Sequence, residues 1–264
     1  MKPFLIAFDT ATERMAIAVR GPGGTRLRTV AGGAQASAAL LPTVEALMAE
    51  VGLRYAEVGA VAFGRGPGAF TGLRTACAAA QGLALGIGCP VLSIDSLALV
   101  ADDARAQCEA RGIGCEEVFV AMDARMDETY VGAWRWSAGA WHVRRAPALC
   151  TLPALGDLWR HEPPTCVAGS ATAAFRGRLD AGSALCLETE HDRAAALLRL
   201  ADAAWARGEV LDGAEALPAY VRDKVALTTA ERAVAQPAAA ASTPGRADAT
   251  PRRAAPSPPA RAAP

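Results

Sequence analysis

Residues 64–74 read Gly-Arg-Gly-Pro-Gly-Ala-Phe-Thr-Gly-Leu-Arg and hold the densest potential chemistry of the chain. Glycines at 64, 66, 68 and 72 permit backbone conformations that a Cβ forbids, and Pro67 stiffens the turn. The apolar run Val58–Phe63 precedes the stretch as an expected strand. A helix is predicted over Leu73–Ile87, with Thr71 as its N-cap. A strand-to-helix turn of this kind gathers free backbone N–H groups at a helix start, which suits an anion. The same geometry also serves as a plain connection in α/β proteins.

Other reactive groups are sparse. Asp9, Thr10 and Thr12 place one carboxylate and two hydroxyls in a turn between apolar runs. The three histidines, His142, His161 and His191, lack the spacing of metal ligands on a helix. No Gly-x-Ser-x-Gly elbow occurs, so serine hydrolase chemistry has no support. Seven cysteines are scattered without a Cys-x-x-Cys pair. Their thiols are expected to be reduced, buried and inert. No catalytic residue, metal site or cofactor is expected.

The elements that position these residues can be read from periodicity. Phe4–Asp9, Met15–Arg20 and Arg26–Ala31 predict an antiparallel meander. Leu40, Val44, Leu47 and Val51 recur at helical spacing, with Pro42 either starting or kinking that helix. Val58–Phe63 and Val91–Ile94 flank the glycine-rich helix as strands of βαβ units. A further helix ends near Gln107. Beyond it, Val118–Met122, Glu128–Trp136, Trp141–Leu149 and Thr165–Ala168 read as strands, and 192–207 as a helix. The length suits one large or two small domains.

Charge is balanced, with 27 basic and 27 acidic residues, so the chain has no global electrostatic footprint for nucleic acid. An RNA contact would be local or supplied by a partner. No apolar run approaches the length of a membrane span. The apolar segment before Asp9 is too short for a secretion signal. A cytoplasmic location is expected. Residues 237–264 are nearly all Ala, Pro, Arg, Ser or Thr and offer no periodic apolar face. A disordered tail over 229–264 follows, locally basic through Arg246, Arg252, Arg253 and Arg261. Deleting residues after Ala235 should leave thermal stability nearly unchanged.

The string over 64–74 resembles the signature of the bacterial TsaB (YeaZ) family, non-catalytic subunits of the machinery that makes threonylcarbamoyladenosine in tRNA. Further matches are Leu5–Glu13, Gln81–Gly86, Met122–Met126 followed by 128–130, and Leu217–Asp223. Together they cover roughly residues 1–228 in order. The resemblance implies a two-lobed α/β fold of the actin-like (ASKHA), ribonuclease-H type. Its lobes would be residues 1–107, carrying the partner interface, and 108–228.

It also implies what has been lost. In the catalytic sister family, TsaD, a glycine-rich Ser-Gly-Gly-His-Thr loop stands where this chain has Met122–Met126, and a His-x-x-x-His pair binds iron. The stretch Ile94–Val100 has no histidine. The adenine-side turn is reduced to one glycine within Ala168–Ser170. Asp9, Thr10, Thr12, Gly66, Gly68, Thr71, Asp123 and Arg125 then stand as remnants of nucleotide loops. The family pairs its first helix and signature helix with the same helices of the TsaD-type subunit. Carried over, that interface comprises Leu40, Leu41, Val44, Glu45, Met48, Arg74, Cys77, Ala80, Gln81 and Ala84. Leu41, Glu45 and Met48 are expected on a face apart from Leu40, Val44 and Leu47. Arg74, in the first helical turn, opposes the helix dipole and calls for an acidic partner.

The implied role is a scaffold that activates the TsaD-type transferase, contacts a TsaE-type ATPase through the complex and meets tRNA indirectly. A second copy of the chain is a further candidate partner when it is alone. Two alternatives stand beside it. An active nucleotide-dependent kinase or transferase of actin-like fold needs the missing second phosphate loop. A dinucleotide binder could use Gly64–Ala69 as G-x-G-x-x-A, but that fingerprint belongs in the first βα turn of its domain.

Overall fold

The computed structural model describes residues 2–222. The expected tail over 229–264 lies outside them. Two five-stranded sheets carry the fold. The first is built from β1 (Leu5–Asp9), β2 (Arg14–Gly21), β3 (Gly24–Ala31), β4 (Ala60–Gly66) and β5 (Val91–Asp95), in the order β3-β2-β1-β4-β5. β1 runs antiparallel to β2 and parallel to β4. The second contains β6 (Glu117–Asp123), β7 (Glu128–Ser137), β8 (Ala140–Thr151), β9 (Cys166–Ala168) and β10 (Leu185–Leu187). Its order, β8-β7-β6-β9-β10, repeats that of the first, and β6 is again antiparallel to its hairpin partner and parallel to β9.

The helices repeat as well. α1 (Ala36–Glu50), α2 (Phe70–Ile87) and α3 (Ser96–Ala110) follow β3, β4 and β5. α4 (Leu152–His161), α5 (Ala171–Ala174) and α6 (Arg193–Arg207) follow β8, β9 and β10. This duplicated meander-plus-helices topology is the two-lobed, actin-like arrangement that the family resemblance implied. The second copy of the glycine-rich helix has shrunk to the four residues of α5.

Alternation along β1 sets the layers. Ile6 and Phe8 join a core with Leu40, Val44, Leu47 and Met48 of α1 and Ala76, Cys77 and Ala80 of α2. Leu5 and Ala7 face a second core with Leu99 of α3 and Ala196, Leu197 and Ala201 of α6. α3 also turns Val100, Ala104 and Cys108 toward Val118 and Val120 of β6. The buried carboxylate of Asp103 accepts the backbone N–H groups of His191 and Asp192, at 3.0 and 2.8 Å, and so ties α3 to the start of α6.

Several details differ from the sequence reading. α2 begins at Phe70 with Ala69 as N-cap, so Thr71 lies inside the first turn. Pro42 lies inside α1 and does not begin it. The sequence reading omits α4, although Leu152, Leu155 and Trp159 recur at helical spacing behind the Thr151 N-cap and a proline in the first turn. Met48 is only 4% exposed and sits in the core with Leu40, Val44 and Leu47. The thiols are not uniformly buried: Cys89, Cys115 and Cys150 are half-buried and Cys186 is exposed.

Arg20 of β2 clasps Asp202 of α6 at 2.7 Å, and Lys2 reaches the same carboxylate. Burial raises the Asp202 pKa, but the bonds to Arg20 and Lys2 outweigh it and leave the value below the usual one. A depressed folded-state pKa stabilises above the unfolded value and is lost as pH falls through the folded one. Asp202→Asn should therefore lower the melting temperature at neutral pH. The gap from wild type should close below about pH 4, a trend that thermal melts across pH would read directly.

Candidate functional site

The first hairpin and the glycine-rich turn meet, and the sequence explains how closely. Thr10 Oγ1 donates to the Gly72 carbonyl at 2.6 Å, and Ala69 N–H donates to the Ala11 carbonyl at 2.8 Å. A Cβ on Gly72 would lie 1.9 Å from the Thr10 carbonyl oxygen, and one on Gly64 would lie 1.7 Å from Asp9 Oδ2. Gly68 is a glycine for the same reason, since a Cβ there would lie 2.5 Å from the Ala11 carbonyl oxygen. The left-handed residue of the turn is Gly66, at φ 110°.

Asp9 is fully buried beneath this junction. Arg193, the first residue of α6, lies on it at 3.2 Å and is itself only 5% exposed. Ser96 Oγ donates to Asp9 Oδ2 at 2.5 Å and accepts the Gly66 N–H at 3.0 Å. The Ala11 N–H donates to Asp9 Oδ1 at 3.1 Å. Arg193 also meets Glu190 at 2.5 Å and donates to the Ser96 carbonyl at 3.2 Å. Burial works against its charge, but Asp9 and Glu190 prevail and raise its pKa. The nearby Asp95 is pushed upward by burial.

The hairpin that corresponds in the second lobe is equally self-contained. Arg125, Met126 and Asp127 all have left-handed backbone, with φ of 64, 57 and 58°. The Arg125 N–H donates to Asp123 Oδ1 at 2.7 Å, and the Asp123 N–H to Ser170 Oγ at 3.1 Å. Arg178 grips Asp127 through two bonds of 2.9 Å, and Arg222 donates to the Ala124 carbonyl at 2.8 Å. Arg125 reaches across to Glu13 of the first hairpin at 3.8 Å. Thr12 Oγ1 is spent locally, donating to the Arg14 carbonyl and accepting the Arg14 N–H.

A metal–nucleotide does not fit these residues. The carboxylate that would hold a divalent cation already holds a buried guanidinium. Hairpin amides that would cradle phosphates donate to Asp9 and Asp123 instead. Sequence reasoning missed Arg193, 184 residues from Asp9. One signal was present: an arginine in the first turn of a helix opposes the dipole and needs a reason.

The residues carried over as an interface separate into two sets. Leu40, Val44, Met48, Cys77, Ala80 and Ala84 are buried within the chain's own core. Cys77 and Gln81 both donate to the Ala216 carbonyl, at 3.0 and 2.8 Å, so the segment after α6 covers that side of α2. Leu41, Glu45 and Arg74 are exposed. Arg74 has no acidic partner among the described residues. It stacks on Phe70 at 3.8 Å and donates to the Tyr220 hydroxyl at 3.3 Å.

The open face of α2 instead carries Thr71, Ala78, Gly82, Leu85 and Gly86. Leu85 is 86% exposed, and a Cβ on Gly82 would meet nothing within 4 Å. The two glycines at 72 and 82 should thus respond oppositely. Gly72→Ala should destabilise the chain by about 2 kcal/mol through overpacking against the backbone. Gly82→Ala should stabilise the isolated chain by about 0.5–1 kcal/mol. Urea midpoints of the two variants check both signs.

Comparisons with known proteins agree with this topology. The family of the tRNA N6-adenosine threonylcarbamoyltransferase, TsaD, matches residues 32–149. The tRNA threonylcarbamoyladenosine biosynthesis protein TsaB of Escherichia coli K12 is 34% identical over 146 residues, covering 55% of this chain and 61% of the relative. The TsaB of Haemophilus influenzae is 39% identical over 127 residues, covering 48% and 51%. The chain thus spans about half to three fifths of the length of these curated relatives. The solved structure of YeaZ from Pseudomonas aeruginosa is 33% identical, with a TM-score of 0.70, over 83% of this chain and 100% of that one. A second solved chain, described as similar to peptidase YeaZ from Pseudomonas aeruginosa, gives 34% and 0.73 over 84% and 100%.

Proposed function

The chain belongs to the TsaB (YeaZ) family, and from that premise we propose that it acts as a non-catalytic subunit of a tRNA-modifying complex. It binds a TsaD-type transferase and supports threonylcarbamoyl transfer to the tRNA adenosine next to the anticodon. A TsaE-type ATPase joins through the complex, and tRNA is met through the partner. The proposed setting is the cytoplasm, in keeping with the fact that no described helix is long and apolar enough to cross a membrane.

The observation that carries this reading is the buried Arg193–Asp9 pair. A guanidinium of the chain itself answers the Asp9 charge, which favours a retained fold over a retained nucleotide reaction. The three histidines are all exposed and offer no hydrolase constellation. The remaining asset is the outer face of α1 and α2, where Leu41, Glu45, Ala78, Gly82 and Leu85 are exposed. Small residues there let another helix approach closely. This shifts the interface assigned from the sequence outward, away from the buried Ala80 and Ala84. Co-purification of the intact chain with a TsaD-type protein tests the proposal. A stoichiometric complex supports it, and two separate species under mild salt contradict it.

A further inference from the structure

Three thiols that no motif connects come together at one point. Cys108 closes the core side of α3, Cys115 lies in the segment leading to β6, and Cys166 opens β9. Their Sγ atoms all lie within 4.8 Å of one another. The convergence is built by the backbone. Gly112 adopts φ 68°, and the Ile113 N–H returns to the Cys108 carbonyl at 2.9 Å, which folds 113–115 back over the end of α3. Cys108 and Cys166 are buried and Cys115 is half-buried. A cleft of about 860 Å³ has both Cys115 and Cys166 in its wall, so the cluster has an entry route.

We propose that Cys108, Cys115 and Cys166 form a three-thiolate site for a thiophilic d10 cation, Zn²⁺ or Cu⁺. Zinc–thiolate bonds of about 2.3 Å place three sulfurs around one ion about 4 Å apart. The observed cluster needs only a small contraction to reach that. Sulfur-only donor sets select these ions over Mg²⁺ or Ca²⁺. As each metal–sulfur bond forms, the thiol proton leaves to solvent, and neither sulfur nor metal changes oxidation state. Zn²⁺ can complete its shell with a water from the cleft, as open zinc sites do, whereas Cu⁺ is satisfied by three sulfurs. All seven thiols are free of disulfides. A disulfide would consume two of these three sulfurs and require an oxidant.

The test uses the full chain, reduced and stripped of metal. It is titrated with Zn²⁺ and with Cu⁺ against competing chromophoric chelators, and with Co²⁺ to read the thiolate-to-metal charge-transfer band. One equivalent of Zn²⁺ or Cu⁺ per chain is expected. Losing an outer-shell partner typically costs about 10–100-fold in metal affinity, so losing a ligand thiolate should cost at least about 100-fold. Cys115→Ser and Cys166→Ser should each do so, while Cys186→Ser should change nothing. Circular dichroism checks that the variants fold, and the half-buried Cys115 is the safer substitution. Binding of neither cation, binding indifferent to Cys115→Ser, or loss of free thiols without metal uptake would overturn the assignment.

Discussion

A Gly82→Glu chain should remain folded and lose binding to the TsaD-type protein proposed as its partner. Gly82 lies in the exposed middle of α2, where an added Cβ meets nothing. Glutamate is the better helix former there, so the isolated chain should be no less stable. In a helix–helix interface the same side chain would be buried without a counter-charge. Such a group costs about 3 kcal/mol or more, which is over about 100-fold in affinity. Leu41→Glu should act in the same direction from α1, since truncated central contacts often cost more than about 1 kcal/mol. Ala80→Glu, by contrast, would test the core, because Ala80 is fully buried. Circular dichroism and a binding titration on Gly82→Glu and Leu41→Glu separate folding from docking. Two folded variants with wild-type affinity would place the interface elsewhere.

Arg193→Leu should be the most damaging single substitution for stability. It strands the Asp9 carboxylate, 0% exposed, with only Ser96 Oγ and the Ala11 N–H to answer its charge. Breaking a buried pair by removing one partner costs about 3–5 kcal/mol. For a folded body of this size that is a fall of about 10 °C in melting temperature. Adding Asp9→Asn should recover much of the loss, since the stranded charge is then gone, the amide oxygen still accepts the Ala11 N–H, and the amide N–H can donate to Ser96 Oγ in place of the bond it received. Thermal melts of the two singles and the double make the cycle. A cost below about 1 kcal/mol for Arg193→Leu would show that the pair is not a structural latch.

The parts of this fold that follow short-range rules were legible in the sequence. The meander, α1, α2 and the flanking strands obey simple apolar periods, and the glycine-rich turn was placed correctly between β4 and α2. Its details were set at long range. Gly68 is fixed by the approach of Ala11, which no local rule contains. Met48 looked like a surface residue, yet it packs in the core that α1 shares with the first sheet. The Arg193–Asp9 pair joins residues 184 apart in sequence. The thiol cluster escaped notice because its members are spread over α3, a loop and β9, with none of the close spacing that marks a metal motif. The duplication was hidden in sequence and became plain only when both sheets showed one strand order.

The most direct test of the subunit reading is an omission experiment. A reconstituted reaction containing the TsaD-type and TsaE-type proteins, a threonylcarbamoyl donor and tRNA is run with and without this chain, and the modified adenosine is measured. The chain alone is assayed in parallel with Mg-ATP. Modification that depends on the chain, together with no ATP turnover by the chain alone, is the expected result. Full modification in its absence, or robust ATP turnover by the isolated chain that Asp9→Ala abolishes, would contradict it.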